Sequence, residues 1–317
     1  MAAKIDSIEV KGIKVPLIFE EDKRLPLVNT QIIFTNSGSI ADTKIAGLAK
    51  FSAKILNEGT QELGSNGFAD KLESRAIHIS SNVGVETFVI ETGSLKDEFS
   101  NSIKYLDELL KDPNYSDKAL TKVKTMTIGT LSNKENDFDY IASNELKKLM
   151  FPNTTLANPS AGTPKSVESI TLEDVKEFIK THLVISRAIV VVGGDVDLAE
   201  VKKKVTKILN ALPKGKSEKL AHIAVNPKPE LSILKRDTKQ AYIYFGSPYN
   251  MAVNDENYYK ARVATFILGT GGFGSRLMEE IRVKRGLAYS AYARVHVSKS
   301  SSYLTGYLQT KLESMDE

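Results

Sequence analysis

Twice along this chain the apolar residues run at a spacing of two, change to helical spacing, and return to a spacing of two. The first pass opens with Val10, Ile13, Val15, Leu17 and Phe19 and the β-rich run Leu27 to Phe34, so residues 8–35 read as strands. From Lys44 the period changes: Ile45, Leu48, Ala49, Ile55 and Leu56 mark one helical face, and Gly59 supplies a left-handed stop. A second helix over 68–76 and two alternating runs, 77–84 and 86–93, complete the pass. The second pass has a strand at Tyr242, Tyr244 and Phe245, a helix over 257–268, a glycine loop at 269–274, a helix over 275–284 and a strand over 288–297. A chain that repeats strand, helix, helix, strand buries its apolar residues by laying helices on sheets, which predicts a duplicated α+β fold.

Between the passes lie further helices. Phe99, Ile103, Leu106 and Leu110 fall at helical spacing before Pro113; Ser116 starts a helix with Leu120, Val123, Thr127 and Leu131; Ile141, Leu146 and Leu149 mark another before Pro152. Thr171 with Asp174 makes a capping-box start, residues 187–193 read as a buried strand, and Asp197 caps one more helix. Residues 213–230, rich in proline and lysine, have the composition of a linker. The expected division is therefore a domain over 1–212, a linker over 213–230, and a second domain over 231–317.

The 43 basic and 39 acidic residues are spread along the whole chain, so the net charge of +4 forms no stripe for nucleic acid; Lys202, Lys203 and Lys204 read as a solvated helix face. With no cysteine, disulfides, thiolate metal sites and a thiol nucleophile are excluded. No run is long and apolar enough for a membrane span. The start, MAAKIDSIEV, has no secretory core. A chain whose signal had been removed would read the same way, so periplasmic, secreted and cytoplasmic locations stay open.

The segment GTGGFG places Gly269, Gly271 and Gly274 in the G-x-G-x-x-G spacing, with Gly272 beside them, but it follows a helical pattern rather than a strand. It therefore does not read as a dinucleotide loop. His78, His182, His222 and His296 stand far apart, without a local metal signature.

The run GLAKFSAKILNEGT, Gly47 to Thr60, resembles the helix that carries H-x-x-E-H in the M16 family (pitrilysin/insulinase, processing-peptidase-like). Similar family segments are TPKSVESITLEDVKEFIKTHL before VVVGGDVD, then KRDTKQAYIYFGSP, then FGSRLMEEIRVKRGLAYSAYA from Phe273 to Ala293. The resemblance implies duplicated M16-type, LuxS/metallohydrolase-like domains, each a mostly antiparallel sheet packed with helices, the second lacking the family's closing elements. In active members the two histidines bind zinc and the glutamate activates water; the matching positions here are Lys50, Lys54 and Ala53. The family's distal glutamate ligand falls in a segment similar to KTMTIGTL, where Gly129 and Thr130 are the candidate positions. The resemblance thus implies no zinc and no other cofactor in this chain.

What the chain keeps is the family's Arg/Tyr pair, at Arg282 and Tyr289. In M16 enzymes that pair holds substrate and polarises the scissile carbonyl, an oxyanion-type role for which guanidinium and phenol are suitable donors. The implied function is that of a non-catalytic subunit, inactive alone, forming a heterodimer with a zinc-bearing H-x-x-E-H subunit and acting on unstructured peptides. The alternative is a peptidase-derived structural or binding protein with no peptide chemistry. An enzyme of another chemistry is disfavoured, because no Ser/His/Asp or Lys/Glu grouping can be placed together.

Overall fold

In the computed structural model, which describes residues 3–315 and residue 317, the chain forms two compact units, 1–130 with 160–219 and 131–159 with 220–317. The first unit contains β1 (Lys4–Val10), β2 (Ile13–Glu21), β3 (Leu27–Thr35), α1 (Leu48–Leu56), α2 (Gly64–Glu73), β4 (His78–Val83), β5 (Thr87–Leu95) and α3 (Phe99–Lys111). It also holds most of α4 (Asp117–Ser132), together with α6 (Pro164–Ser169), α7 (Leu172–His182), β6 (Ala188–Gly194) and α8 (Leu198–Ala211). The second contains α5 (Phe138–Met150), β7 (Gln240–Pro248), α9 (Tyr258–Thr265), β8 (Ala288–Val297) and β9 (Ser302–Lys311).

The six-stranded sheet of the first unit has the order β1-β2-β6-β3-β5-β4, with β2 and β6 parallel and the other pairs antiparallel. Period-two patterning fixes its register: Ile32 lies opposite Ile90 and Phe34 opposite Phe88, and all four are fully buried. These side chains meet Ala49, Ala53 and Leu56 of α1, Phe99, Ile103 and Leu106 of α3, and Val201, Val205 and Ile208 of α8 in one core. Burial of a large aliphatic or aromatic side chain contributes about 1.5–3 kcal/mol, so this core holds the helices to the sheet. The helix starts follow the caps written in the sequence. Thr171 and Asp174 make a reciprocal capping box on α7, and Asp197 accepts the backbone N–H of Ala199 at 2.7 Å.

The second unit has an antiparallel sheet of order β7-β9-β8. Its connectivity repeats part of the first: β3, helices, β4 and β5 pair as β3-β5-β4, and β7, helices, β8 and β9 pair as β7-β9-β8. The duplication expected from hydrophobic periodicity is therefore present as topology. Tyr307 of β9 stands between Tyr244 of β7 and Tyr292 of β8, with ring centroids 4.9 and 5.3 Å away.

Two features differ from the sequence-based division. Helix α5, expected in the first domain, packs in the second unit: Phe138 meets the ring of Tyr242 at 5.8 Å, and the side chain of Met150 covers Gly246. The proline- and lysine-rich stretch forms no helix or strand, yet it is tied along its length. Pro213 and Lys214 accept from the backbone of Ile185 and Ser186, whereas Ile223 and Asn226 donate to the carbonyls of Ser300 and Met150.

Candidate functional site

The helix that resembles the zinc-bearing element is α1. Asp42 holds its N-terminus, accepting the N–H groups of Gly47 at 2.9 Å and Ala49 at 2.8 Å from a buried position. Burial outweighs those two donors and raises the Asp42 carboxyl to about 7. Along α1, Ala53 is buried in the core while Lys50 and Lys54, one turn apart, are half-buried. The Lys54 ammonium donates to Thr127 Oγ1 of α4 at 2.8 Å. Its pKa is lowered, first by burial and then by the like charge of Lys50.

Gly129 and Thr130, the positions expected to match the distal ligand, are exposed, and the Thr130 hydroxyl returns to the Met126 carbonyl of its own helix. The α4 residue that meets α1 is instead Thr127, in phase with buried Val123 and Leu131. A protonated amine has no lone pair to give a metal, and neither methyl nor hydroxyl replaces imidazole and carboxylate. These residues do not fit a zinc ion. Among the described residues no cluster of three or more His, Cys, Asp or Glu side chains is arranged to hold a metal. Two of the histidines have packing roles: His182 stacks on Phe178 at 4.2 Å, and His296 stacks on Tyr303 and bonds Thr305.

In the second unit the expected helices are short and partly underwound. Helix α9 ends at Thr265 and passes into a π turn over Phe266–Thr270; a second π turn covers Met278–Val283. At Gly269 a Cβ would lie 2.2 Å from the Ala293 nitrogen, so this glycine serves a close approach to β8. Gly271 lies against Phe266 and Gly272 has φ +62°, whereas at Gly274 a Cβ would meet only open space.

The second π turn carries Arg282, and the following strand carries Tyr289. Arg282 Nη1 donates to the Tyr289 carbonyl at 2.7 Å, and the guanidinium contacts two rings, 4.6 Å from that of Tyr289 and 4.7 Å from that of Phe273. Tyr289 is 76% exposed. The two residues are thus in contact, with the guanidinium fixed by a carbonyl and two rings and the phenol presented outward. Phe273 is a part of this arrangement that sequence reading did not single out; its place within the glycine loop was the available signal.

Residues 27–164 match the family model of insulinase (peptidase family M16), and residues 169–317 match that of the peptidase M16 inactive domain. This chain belongs to peptidase family M16. The M16 chain is similar to the non-peptidase homolog YmxG of Helicobacter pylori, with 42% identity over 313 residues, covering 99% of this chain and 72% of the relative. It is also similar to the mitochondrial-processing peptidase subunit beta of Saccharomyces cerevisiae, at 23% identity over 186 residues, 58% of this chain and 40% of that protein. Among solved structures, a peptidase M16 inactive domain from Pseudomonas fluorescens superposes with a TM-score of 0.89 at 25% identity, over 99% of this chain and 75% of that one. The M16 chain therefore spans three quarters or less of the length of each of these relatives.

Proposed function

We propose that this M16 chain is a non-catalytic subunit that binds peptide and lends hydrogen-bond donors to hydrolysis carried out by a zinc-bearing H-x-x-E-H partner. The observation that carries the reading is Arg282 held against the carbonyl and ring of Tyr289 with the phenol left outward. A guanidinium has five N–H donors, and anchoring one to a carbonyl orients the fork while the others stay free for a substrate oxygen. When a peptide carbonyl develops negative charge, donors already in place stabilise it with little reorganisation. Neither side chain is a nucleophile or a water-activating base, and the amine-bearing face of α1 fits no metal, so the attacking water belongs to the partner. The likeness to a protein named as a peptidase subunit supports a shared assembly.

The name of the Helicobacter relative, a non-peptidase homolog, favours a second reading in which the chain is a binding or structural protein without peptide chemistry. One experiment separates the two. The purified chain, a candidate H-x-x-E-H M16 partner and their mixture are assayed for cleavage of unstructured peptides. The proposal expects cleavage by the mixture well above that of either chain alone, and a mixture no faster than the partner favours the second reading.

A further inference from the structure

We propose that Lys50, Lys54 and Thr127 form a binding site for a compact oxyanion, and that its ligand is the C-terminal carboxylate of a peptide. The place in the fold that resembles a zinc cradle would then hold the opposite charge. This inference rests on the reading that the chain handles peptides and adds a second point of attachment to it.

Lys50 and Lys54 project from one face of α1 one turn apart, and both are half-buried. Lys54 reaches a neutral hydroxyl rather than a carboxylate, and the charge acting on it is that of Lys50, of the same sign. Among the described residues neither ammonium is paired with an acid. Two other lysines, on α4, are engaged elsewhere: Lys122 with Glu58 at 2.7 Å, and Lys124 with the Glu168 carbonyl at 2.6 Å. A partly buried cation beside a like charge costs free energy, and an anion placed between the two ammonium groups offsets that cost.

The donor inventory fits such a ligand. Lys54 commits one N–H to Thr127 and retains two, and Lys50 retains three. Thr127 accepts from Lys54 and keeps its own O–H to donate, and this hydroxyl is held at a buried position on α4. Ammonium groups act as point charges without a fixed fork, which suits a small carboxylate. The same arrangement serves a carboxylate in place of a metal because it offers only donors.

The test uses the full chain, labelled with carbon-13 at lysine Cε, titrated by NMR and calorimetry with three probes. They are an N-acetylated pentapeptide with a free C-terminal carboxylate, the same peptide as its C-terminal amide, and inorganic phosphate. The expected result is binding of the acid about tenfold tighter than the amide, as loss of a charge-assisted bond predicts, with the Lys50 and Lys54 signals moving on titration. The preference should vanish in Lys50→Met and Lys54→Met, persist in Lys54→Arg and weaken in Thr127→Val. Methionine keeps most of the apolar stem, and thermal unfolding of each variant identifies any that fails to fold. Equal binding of acid and amide, no binding of either, or a preference that survives both methionine variants overturns the proposal. Phosphate moving these signals where the peptide acid does not overturns the assignment to peptides. Turnover of the mixture with a zinc-bearing partner is a separate readout, so a failed titration leaves the Arg282–Tyr289 reading standing, and the converse also holds.

Discussion

Tyr289→Phe and Arg282→Ala separate the catalytic contribution of this pair from its structural one. The Tyr289 backbone carbonyl accepts from Arg282, and the ring rather than the hydroxyl covers the guanidinium. Tyr289→Phe therefore keeps both contacts and removes only an outward-facing phenol on a residue that is 76% exposed. Its unfolding free energy should stay within about 0.5 kcal/mol of the parent, as for an ordinary surface change. Arg282→Ala removes a charged hydrogen bond of 2.7 Å and two cation–ring contacts at 4.6 and 4.7 Å. One charged hydrogen bond and two exposed cation–π contacts together amount to about 2.5–5 kcal/mol, and the exposure of Tyr289 and Phe273 places the loss at the lower end of that range. In the reconstituted complex, either variant removes an oxyanion-type donor and should slow turnover about a hundredfold, equivalent to ~3 kcal/mol. Denaturant titration of the single chain and peptide turnover of the mixture are the two assays. A Tyr289→Phe mixture that turns over at the parent rate refutes the donor role, and a Tyr289→Phe chain as destabilised as Arg282→Ala refutes the division of labour.

Other measurements bear on the rest of the molecule. Native Asp42 keeps its proton up to about 7 while an unfolded chain releases it near 3.8, so the native state binds more protons between these values. Its contribution to stability should therefore fall as pH rises from about 4 to 7, and Asp42→Asn should flatten that part of the denaturation profile. A profile unchanged by the substitution refutes the shift. Gly269→Ala forces a Cβ to within 2.2 Å of the Ala293 nitrogen and should destabilise the chain by about 1–3 kcal/mol; Gly129→Ala, exposed on α4 with nothing within 4 Å, should stabilise it by about 0.5–1 kcal/mol. Thermal melts showing both changes with the same sign would contradict these environments. Elemental analysis after dialysis against a mild chelator should find no stoichiometric zinc, because Lys50, Ala53 and Lys54 offer no ligand; one retained zinc per chain would require donors elsewhere.

Much of the fold was legible because local signals agreed with tertiary ones. Strand alternation, the Thr171–Asp174 capping box, the Asp197 cap and the repeated order of elements all correspond to observed structure. The location of α5 was not legible. An amphipathic helix states which face it buries but not against which sheet, and here the contacts of Phe138 and Met150 in the second unit decide it. The π turns around Gly269 and Arg282 were also hidden: no residue pattern marks them, and the close approach of Gly269 to β8 is a tertiary contact that local propensity does not report. At α1 the positions matching the zinc motif could be read directly, whereas on α4 the facing residue depended on helical phase. Val123, Thr127 and Leu131 shared a face in the sequence pattern, and that phase, rather than segment similarity, indicated Thr127.

The division of the chain into 1–130 with 160–219 and 131–159 with 220–317 has a consequence for biosynthesis. Residues 131–159 leave the ribosome before the sheet they pack against exists, because β7, β8 and β9 lie beyond residue 239. At a typical elongation rate the apolar side chains of α5, Phe138 and Met150 among them, wait on the order of ten seconds for Tyr242 and Gly246 to emerge with the completed sheet. Cutting the gene at the proline- and lysine-rich stretch would make that wait permanent. The upstream fragment would carry an orphan helix, and the downstream fragment would lack the element that covers Gly246.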